Sequence, residues 1–430
     1  MSERIIFRHA LLPGGWAENA AISYENGVIT NVETGVAGGS GLALPGMANL
    51  HSHSFQRAMA GRAELRGPTA DSFWTWRELM YRLALSLDPD DVQAIAALAF
   101  TEMLEGGFTS VAEFHYLHHG PDGAPYADIA EMAARLAAAA AETGIELLLL
   151  PVFYAHSGFG GQAPTEGQRR FVNSLDSYAK LHARCRALSA TGCAPHSLRA
   201  ATLDEITALT QLNGAAPFHI HISEQTAEVE SCLAFSGARP VEYLLANAPV
   251  SSNWCLVHAT HITAAEAMDM AKTNAVAGLC PITEANLGDG IFPAQHFTGA
   301  YGIGSDSNVL IDAGRELQML EYSQRLGQRQ RNVMATATIR PTATALYQHA
   351  ASGGAQAVGL GHGLVAGAPA SFVGIAGETP EEALADALFT ARATAVRDVW
   401  VRGRHVVENG RHRHAAQARA KFETVLRKRL

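Results

Sequence analysis

Between residues 46 and 360 short apolar runs alternate with longer stretches of helical pattern, an order that predicts repeated strand–helix units. The runs are LALPGMANLHSH, TSVAEFHYL, IELLLLPVFY, LSATGCAPH, PFHIHISE, NWCLVHATH, AVAGLCPITE and AYGIGSDS. Among the intervening stretches, ADIAEMAARLAAAAAETG is rich in alanine, the strongest helix former. Near-continuous apolar strands joined by helices predict a parallel sheet covered on both faces, here closed into a barrel. Most of the runs end in polar residues, and in such a barrel the C-terminal strand ends converge on the face where active sites form.

The two chain ends have a different texture. Residues 1–45 alternate apolar and polar positions around an Asn26-Gly27 turn, and GAPASFVGI with VRDVWVRGRHVVENGR repeats the pattern around Asn409-Gly410. The expected architecture is α/β, a TIM-type (β/α)8 barrel over 46–360. Residues 1–45 and 361–430 are expected to form a small β-sandwich domain from both ends, the second segment adding a tail. No tandem repeat of solenoid type is evident.

Composition changes this picture little. Of 430 residues, 48% are hydrophobic and 17% charged, as in ordinary globular proteins, and the net charge of −9 speaks against a basic nucleic-acid-binding surface. No apolar stretch reaches the length of a signal peptide or a membrane span, so a cytoplasmic protein that binds neither membrane nor nucleic acid is expected. Cys185, Cys193, Cys232, Cys255 and Cys280 form no C-x-x-C pair and read as small buried hydrophobes.

Candidate chemistry begins with His51-Ser52-His53 at the end of the first run. Residues two apart on a strand share a face about 6.5–7 Å apart, so both imidazoles can converge on one cation. The fifth run offers His221 as a third ligand, with His219 two residues deeper as an interior histidine. Glu224, on the following turn, could face a metal-bound water or simply interact with a helix N-terminus. The sixth run supplies His258, with His261 as the alternative, and the eighth supplies Asp306, which otherwise reads as a helix cap. Three histidines and an aspartate would leave room for water on a catalytic cation.

H-x-H after the first strand, histidines after the fifth and sixth and aspartate after the eighth resemble the amidohydrolase superfamily. Its binuclear members carry a lysine at the end of the fourth strand, where this chain has Ala194-Pro195-His196. The pattern instead looks like the mononuclear deaminase branch, with His221 and Glu224 as its H-x-x-E. A closer resemblance, to the formimidoylglutamate deiminases of histidine degradation, covers almost the whole chain. It rests on PGMANLHSHSFQRAMAGRAE, SFWTWRELMYRLA, EFHYLHHGPDGAPY, APHSLRA, ITEANLGDGIFP and GIGSDSNVLIDAGRELQMLEY. The resemblance implies His51, His53, His221 and Asp306 as ligands of one zinc ion, with Glu224, His258 and Asp306 catalytic. It also implies Gln56, Arg77, Tyr116, His196 and Arg199 as substrate-binding residues, and a homodimer.

A nitrogen–oxygen donor set of this kind also accommodates Fe2+ or Mn2+. The implied reaction is hydrolysis of N-formimidoyl-L-glutamate to N-formyl-L-glutamate and ammonia. Arginine suits a dicarboxylate amidine substrate through bidentate, charge-assisted hydrogen bonds. Arg199, after the fourth strand, is the better placed, whereas Arg77 lies in a Trp-rich segment that could fold over the mouth. His118 and His119 read as loop residues beyond the second strand. The alternatives are an aminohydrolase of the same superfamily acting on a purine, pterin or cytosine-like ring, and a metal-free assembly protein. A ring substrate would call for stacking and amide contacts where this chain offers arginines, and a metal-free relative would have lost ligands.

Overall fold

A computed structural model describes residues 2–66, 72–391 and 395–429. The apolar runs of its middle part form parallel strands at Met47–Ser52, Phe108–His115, Glu146–Phe153, Phe218–Ile222, Trp254–His258, Val276–Leu279 and Tyr301–Ile303. The fourth position is split between Ala190–Thr191 and Ala194–Pro195, both paired with Glu146–Phe153. Helices such as Pro89–Glu105, Glu131–Thr143 and Leu175–Arg186 separate the strands, so both faces of the sheet are covered and its strands are buried almost throughout. The result is a TIM-type barrel of the expected class.

Two seams close the barrel. At one, Cys193 N–H donates to Pro217 O (3.0 Å) and His219 N–H to Cys193 O (3.0 Å). At the other, between the first and eighth strands, Ser52 and Asp306 make a single bridge. There His53 N–H donates to Asp306 O (2.9 Å) and Asp306 N–H to His51 O (3.0 Å). Side chains supply what the ladder lacks. The Asn49 amide donates to Ser305 Oγ (2.6 Å) and accepts from Ser305 N–H (3.0 Å). Asn308 donates to Ser52 Oγ (3.2 Å) and Asp306 O (2.9 Å), and accepts from Ser305 Oγ (2.7 Å). All these groups are buried, so their satisfied hydrogen bonds fix one register for the strand ends.

The chain ends form one eight-stranded sheet, ordered Arg411–His412, Arg404–Glu408, Val396–Val401, Phe372–Ile375, Leu42–Pro45, Glu3–Leu12, Gly15–Glu25, Val28–Glu33. Asn26-Gly27 and Asn409-Gly410 are hairpin turns with left-handed backbone at both residues. Phe372 stacks on Trp400, with ring centroids 4.9 Å apart, and meets Phe7 edge-on at 5.9 Å. Tyr24 packs against Gly403, so the two ends of the sheet meet and it folds over itself like a sandwich.

Two details differ from the sequence pattern. LALPGMANLHSH is not one strand, because Leu42–Pro45 pairs with Phe372–Ile375 in the chain-end sheet while Met47–Ser52 enters the barrel. The switch falls at Gly46, where a Cβ would sit 2.4 Å from Thr109 Oγ1 and 3.0 Å from Ser371 O, so only glycine passes between the two sheets. The C-terminal segment is also more than strands and a tail. Its helix Ala415–Arg429 lies along Pro89–Glu105, where Arg429 pairs with Asp88 and Asp91 (2.7 Å each) and Lys428 with the same two carboxylates.

The first–eighth seam is tight at Gly304, where a Cβ would lie 2.7 Å from His51 O and 2.9 Å from His51 N and Cβ. Backbone cannot yield as a flexible side chain does. Gly304→Ala is therefore expected to destabilise the protein by about 1–3 kcal/mol. Denaturant unfolding measures this, and an unchanged midpoint would show that the strands have slack.

Candidate metal centre and active site

The strand ends carry the candidate chemistry. His51 lies in the first strand and His53 just past it, His221 lies in the fifth, His258 closes the sixth, and Asp306 follows the eighth. His258 (φ +68°) and Asp306 (φ +42°) both have left-handed backbone, costly for residues with a Cβ, by about 1–3 kcal/mol each. The seam bonds hold Asp306 in place, and Ala259 N–H to Ile222 O (3.0 Å) anchors the turn after His258. Strain at these two positions turns both side chains into the barrel mouth.

His51 Nε2 joins two overlapping groups of donor atoms there, one with His53 and Asp306 and one with His221 and His258. His51 Nε2 lies 3.2 Å from His53 Nε2 and 3.0 Å from His221 Nε2, and Asp306 Oδ1 lies 3.6 Å from His51 Nε2 and 3.3 Å from His53 Nε2. Donors on a tetrahedral ion with bonds of about 2.0–2.1 Å stand about 3.3–3.4 Å apart, close to this spacing. The tautomers point the same way. His53 Nδ1 faces Phe114 O (2.8 Å) and His221 Nδ1 faces His196 O (3.0 Å), so each Nδ1 carries the proton and each Nε2 presents a lone pair. Burial holds both rings below their ordinary pKa and pushes His51 down to about 3, so the imidazoles are neutral. Burial alone would raise Asp306, but His51, His53 and His258 outweigh it and keep the carboxylate ionised. Lone pairs facing lone pairs beside a carboxylate fit a divalent cation.

Glu224 and His258 flank this cluster. Burial drives Glu224 up to about 7, with Asp306 acting in the same direction and His258 and Arg199 opposing. A carboxyl so placed can both take and give a proton near neutrality. His258 Nε2 lies 3.8 Å from Glu224 and 3.9 Å from Asp306, and its Nδ1 lies 3.3 Å from Glu284 Oε1. Burial opposes charge on this ring, yet Glu224, Glu284 and Asp306 together push it up to about 10.

A pocket opens in front of these groups. Gln56, Arg77, Tyr116, His196 and Arg199 all line it. Gln56 Nε2 donates to Tyr116 OH (2.7 Å), leaving Gln56 Oε1 buried with no partner. Arg77 stacks its guanidinium over Trp74, 4.5 Å from the ring centroid. Neither Arg77 nor Arg199 has a carboxylate within ion-pair distance among the described residues, although Glu228 and Glu224 act on Arg199 from further away, and the Nε of each arginine is buried without an acceptor.

Other histidines lie apart from the cluster. His219 Nε2–H donates to Ala357 O (2.8 Å), deep in the barrel. His118 and His119 follow the second strand but are buried, each ring bonded to a backbone carbonyl. All five cysteines are free and buried, and Cys280 lies near His258 and Asp306. Two carboxylates that the sequence reading did not single out support the site. Glu113 accepts from Ser54 N–H (2.7 Å) and is itself driven up to about 7 by burial. Glu284 accepts from Cys280 N–H (3.0 Å) while facing His258. Their signal was an acidic residue inside an apolar strand, SVAEFHYL, and one opening a turn after another, LCPITE.

Comparison with known proteins follows the same lines. A profile described as the amidohydrolase family matches residues 42–406. The chain is 47% identical to a formimidoylglutamate deiminase of Pseudomonas aeruginosa, with 98% of each chain covered. It superposes on the crystal structure of an amidohydrolase from Brucella melitensis with a TM-score of 0.96 at 51% identity, over 99% of both chains. An adenosine deaminase from Xanthomonas campestris with bound zinc shares the fold, with a TM-score of 0.77 at 22% identity over 98% of both chains.

If the converging lone pairs hold a cation, adding a divalent metal to chelator-treated protein raises its thermal midpoint. The stabilisation is expected to approach about 4 kcal/mol at a metal concentration a thousandfold above Kd. His221→Ala is expected to remove most of that rise. A midpoint indifferent to metal in the parent protein would contradict the geometry.

Proposed function

The chain belongs to the amidohydrolase family, and from that premise we propose that it hydrolyses N-formimidoyl-L-glutamate to N-formyl-L-glutamate and ammonia. The observation that carries the substrate is the pair Arg77 and Arg199, two cations without carboxylate partners in the cavity that also contains the histidine cluster. Both side chains are half-buried with a buried Nε that lacks an acceptor, and a ligand with two carboxylates offers each guanidinium a charge-assisted partner. The 47% identity to a protein named for this activity supports the same choice.

In this reading His51, His53, His221 and Asp306 hold one divalent cation, zinc in the first instance, with Fe2+ or Mn2+ compatible with the same donors. A cation bound there supplies Lewis-acid activation of water near neutral pH. The chain's own groups do the rest. Arg77 and Arg199 grip the two carboxylates and so place the formimidoyl carbon beside the cluster. Gln56 Oε1, a buried acceptor without a partner, takes an amidine N–H, while Tyr116 and His196 wall the reacting end. Glu224 accepts a proton from the water whose oxygen bonds to the formimidoyl carbon. It returns that proton to the terminal nitrogen and then carries the second proton, from the new C–O–H, to the same nitrogen, so that the C–N bond breaks with ammonia leaving and a formyl oxygen remaining. His258, held by Glu284, offers positive charge where the oxygen becomes negative.

With the reaction go, as parts of the proposal, a place in histidine degradation, a cytoplasmic location and a homodimeric assembly. So does the division into a catalytic barrel over 46–360 and a small domain from 1–45 and 361–430. No described helix is long and apolar enough to cross a membrane.

Glu224→Gln is expected to keep fold and metal content but to lose at least about 100-fold in kcat, because a carboxamide cannot carry the proton. Near-normal turnover would return Glu224 to a helix-capping role. Arg199→Met is expected to cost about 2–5 kcal/mol in kcat/KM on the diacid, with metal content unchanged. An equal loss on a formimidoyl amine lacking both acids would mean that Arg199 acts on structure and not on recognition.

A further inference from the structure

At the arginine end of the cavity two tyrosines, Tyr81 and Tyr154, line the wall beside Arg77 and Arg199. They pack around the buried Phe171, with ring centroids 5.7 and 5.9 Å from it. Behind them sits Gln168, buried and fixed in orientation. Its Oε1 accepts from Thr165 N–H (2.8 Å), a backbone group that can only donate. Gln168 Nε2 is therefore the end that faces the phenols, donating to Tyr154 OH (2.7 Å) and Tyr81 OH (3.4 Å). The two ends of an amide have the same shape, and here the Thr165 N–H decides between them.

The consequence is a count of hydrogens. Both phenol oxygens already accept from Gln168, and each still owns an O–H. Among the described residues the one acceptor available to either is the oxygen of the other, so even when one phenol donates to its neighbour, one hydrogen is left over. Burial keeps Tyr154 well above its ordinary pKa, so it stays a neutral donor. The arginines add further donors, with both Nε atoms lacking acceptors. Two guanidinium groups and at least one phenol hydrogen thus face one end of the cavity without an acceptor.

We propose that Tyr154 and Tyr81, aimed by Gln168, complete with Arg77 and Arg199 a donor-only receptor for a substrate carboxylate and so determine specificity for an acid over its amide. This rests on the formimidoylglutamate reading and deepens it. A carboxylate offers only acceptors and satisfies every group there. A carboxamide in its place turns an NH2 towards donors, leaving groups unsatisfied, and sites built this way reject the wrong partner strongly. Tyr154 and Tyr81 are specificity residues, and Gln168 is a positioning residue that acts through them.

The test is steady-state kinetics of ammonia release by metal-loaded Tyr154→Phe, Tyr81→Phe, the double variant and Gln168→Glu. Substrates are N-formimidoyl-L-glutamate and its two monoamides. Each phenylalanine keeps the packing around Phe171. Tyr154→Phe is expected to raise KM for the diacid about tenfold or more, the scale of a hydrogen bond to a charged group, with kcat changed by less than about twofold. Preference for the diacid over at least one monoamide should fall by a similar factor. Gln168→Glu converts the donor behind the phenols into an acceptor that draws their hydrogens away, so KM rises although both tyrosines remain. A merely structural role would instead lower the unfolding midpoint and reduce activity equally on acid and amide.

Unchanged KM and unchanged acid-to-amide preference in the double variant would overturn the proposal. Calorimetric binding of glutarate, a plain dicarboxylate, separates this outcome from failure of the functional reading. A parent protein that releases no ammonia from N-formimidoyl-L-glutamate, yet binds glutarate at least about tenfold more tightly than the double variant, would refute the reaction while keeping the receptor. Equal glutarate affinity in the two proteins would refute the receptor.

Discussion

Three neutral imidazoles and a carboxylate, buried with His51 Nε2 3.0–3.6 Å from donor atoms of the other three, carry more lone pairs than N–H groups to meet them. Two of the rings have committed their protons to backbone carbonyls, so their lone pairs must face a cation or remain unsatisfied. The rest of the molecule is arranged to maintain that confrontation. The first–eighth seam is fastened by Asn49, Ser305 and Asn308 where the ladder has a single bridge, and Arg57 reaches across it. Its guanidinium donates to Glu102 (2.6 Å) and to the carbonyls of Asn308 and Val309 (3.1 Å each). Left-handed backbone at Asp306 is tolerated because these contacts over-determine it.

The same logic of unsatisfied groups organises the substrate end. Around the histidine cluster the surplus is of lone pairs, and around Arg77 and Arg199 it is of N–H groups. An amidine that carries two carboxylates is complementary to both ends at once. Between them lie Glu224, poised by burial to exchange a proton, and His258, charged by its three neighbouring carboxylates. The chemistry thus follows from three adjacent environments of opposite demand within one cavity.

The barrel was legible because its strands are buried on both faces and therefore read as unbroken apolar runs between amphipathic helices. The hairpins at Asn26-Gly27 and Asn409-Gly410 were legible because left-handed backbone at paired turn positions selects those residues. The split at Gly46 was not, since two short strands in different sheets, joined by one glycine, look like a single run. For the site, the H-x-H spacing and polar strand ends are local signals, so His51, His53, His221, His258 and Asp306 could be named. Which ring nitrogen faces inward, and the roles of Glu113, Glu284 and Gln168, depend on partners far away in the chain. Those relations are three-dimensional and leave no spacing to read.

The most direct test of the account is ammonia release by the metal-reloaded protein. N-formimidoyl-L-glutamate would be compared with adenosine and 5-methylthioadenosine, alongside the chelator-treated protein. The account predicts rapid release from the diacid, dependent on restored metal, and at least about 1,000-fold lower kcat/KM on the ring amines, as expected when the arginines of the cavity are left without partners. Preference for a ring amine, or turnover of the diacid undiminished by metal removal, would contradict it.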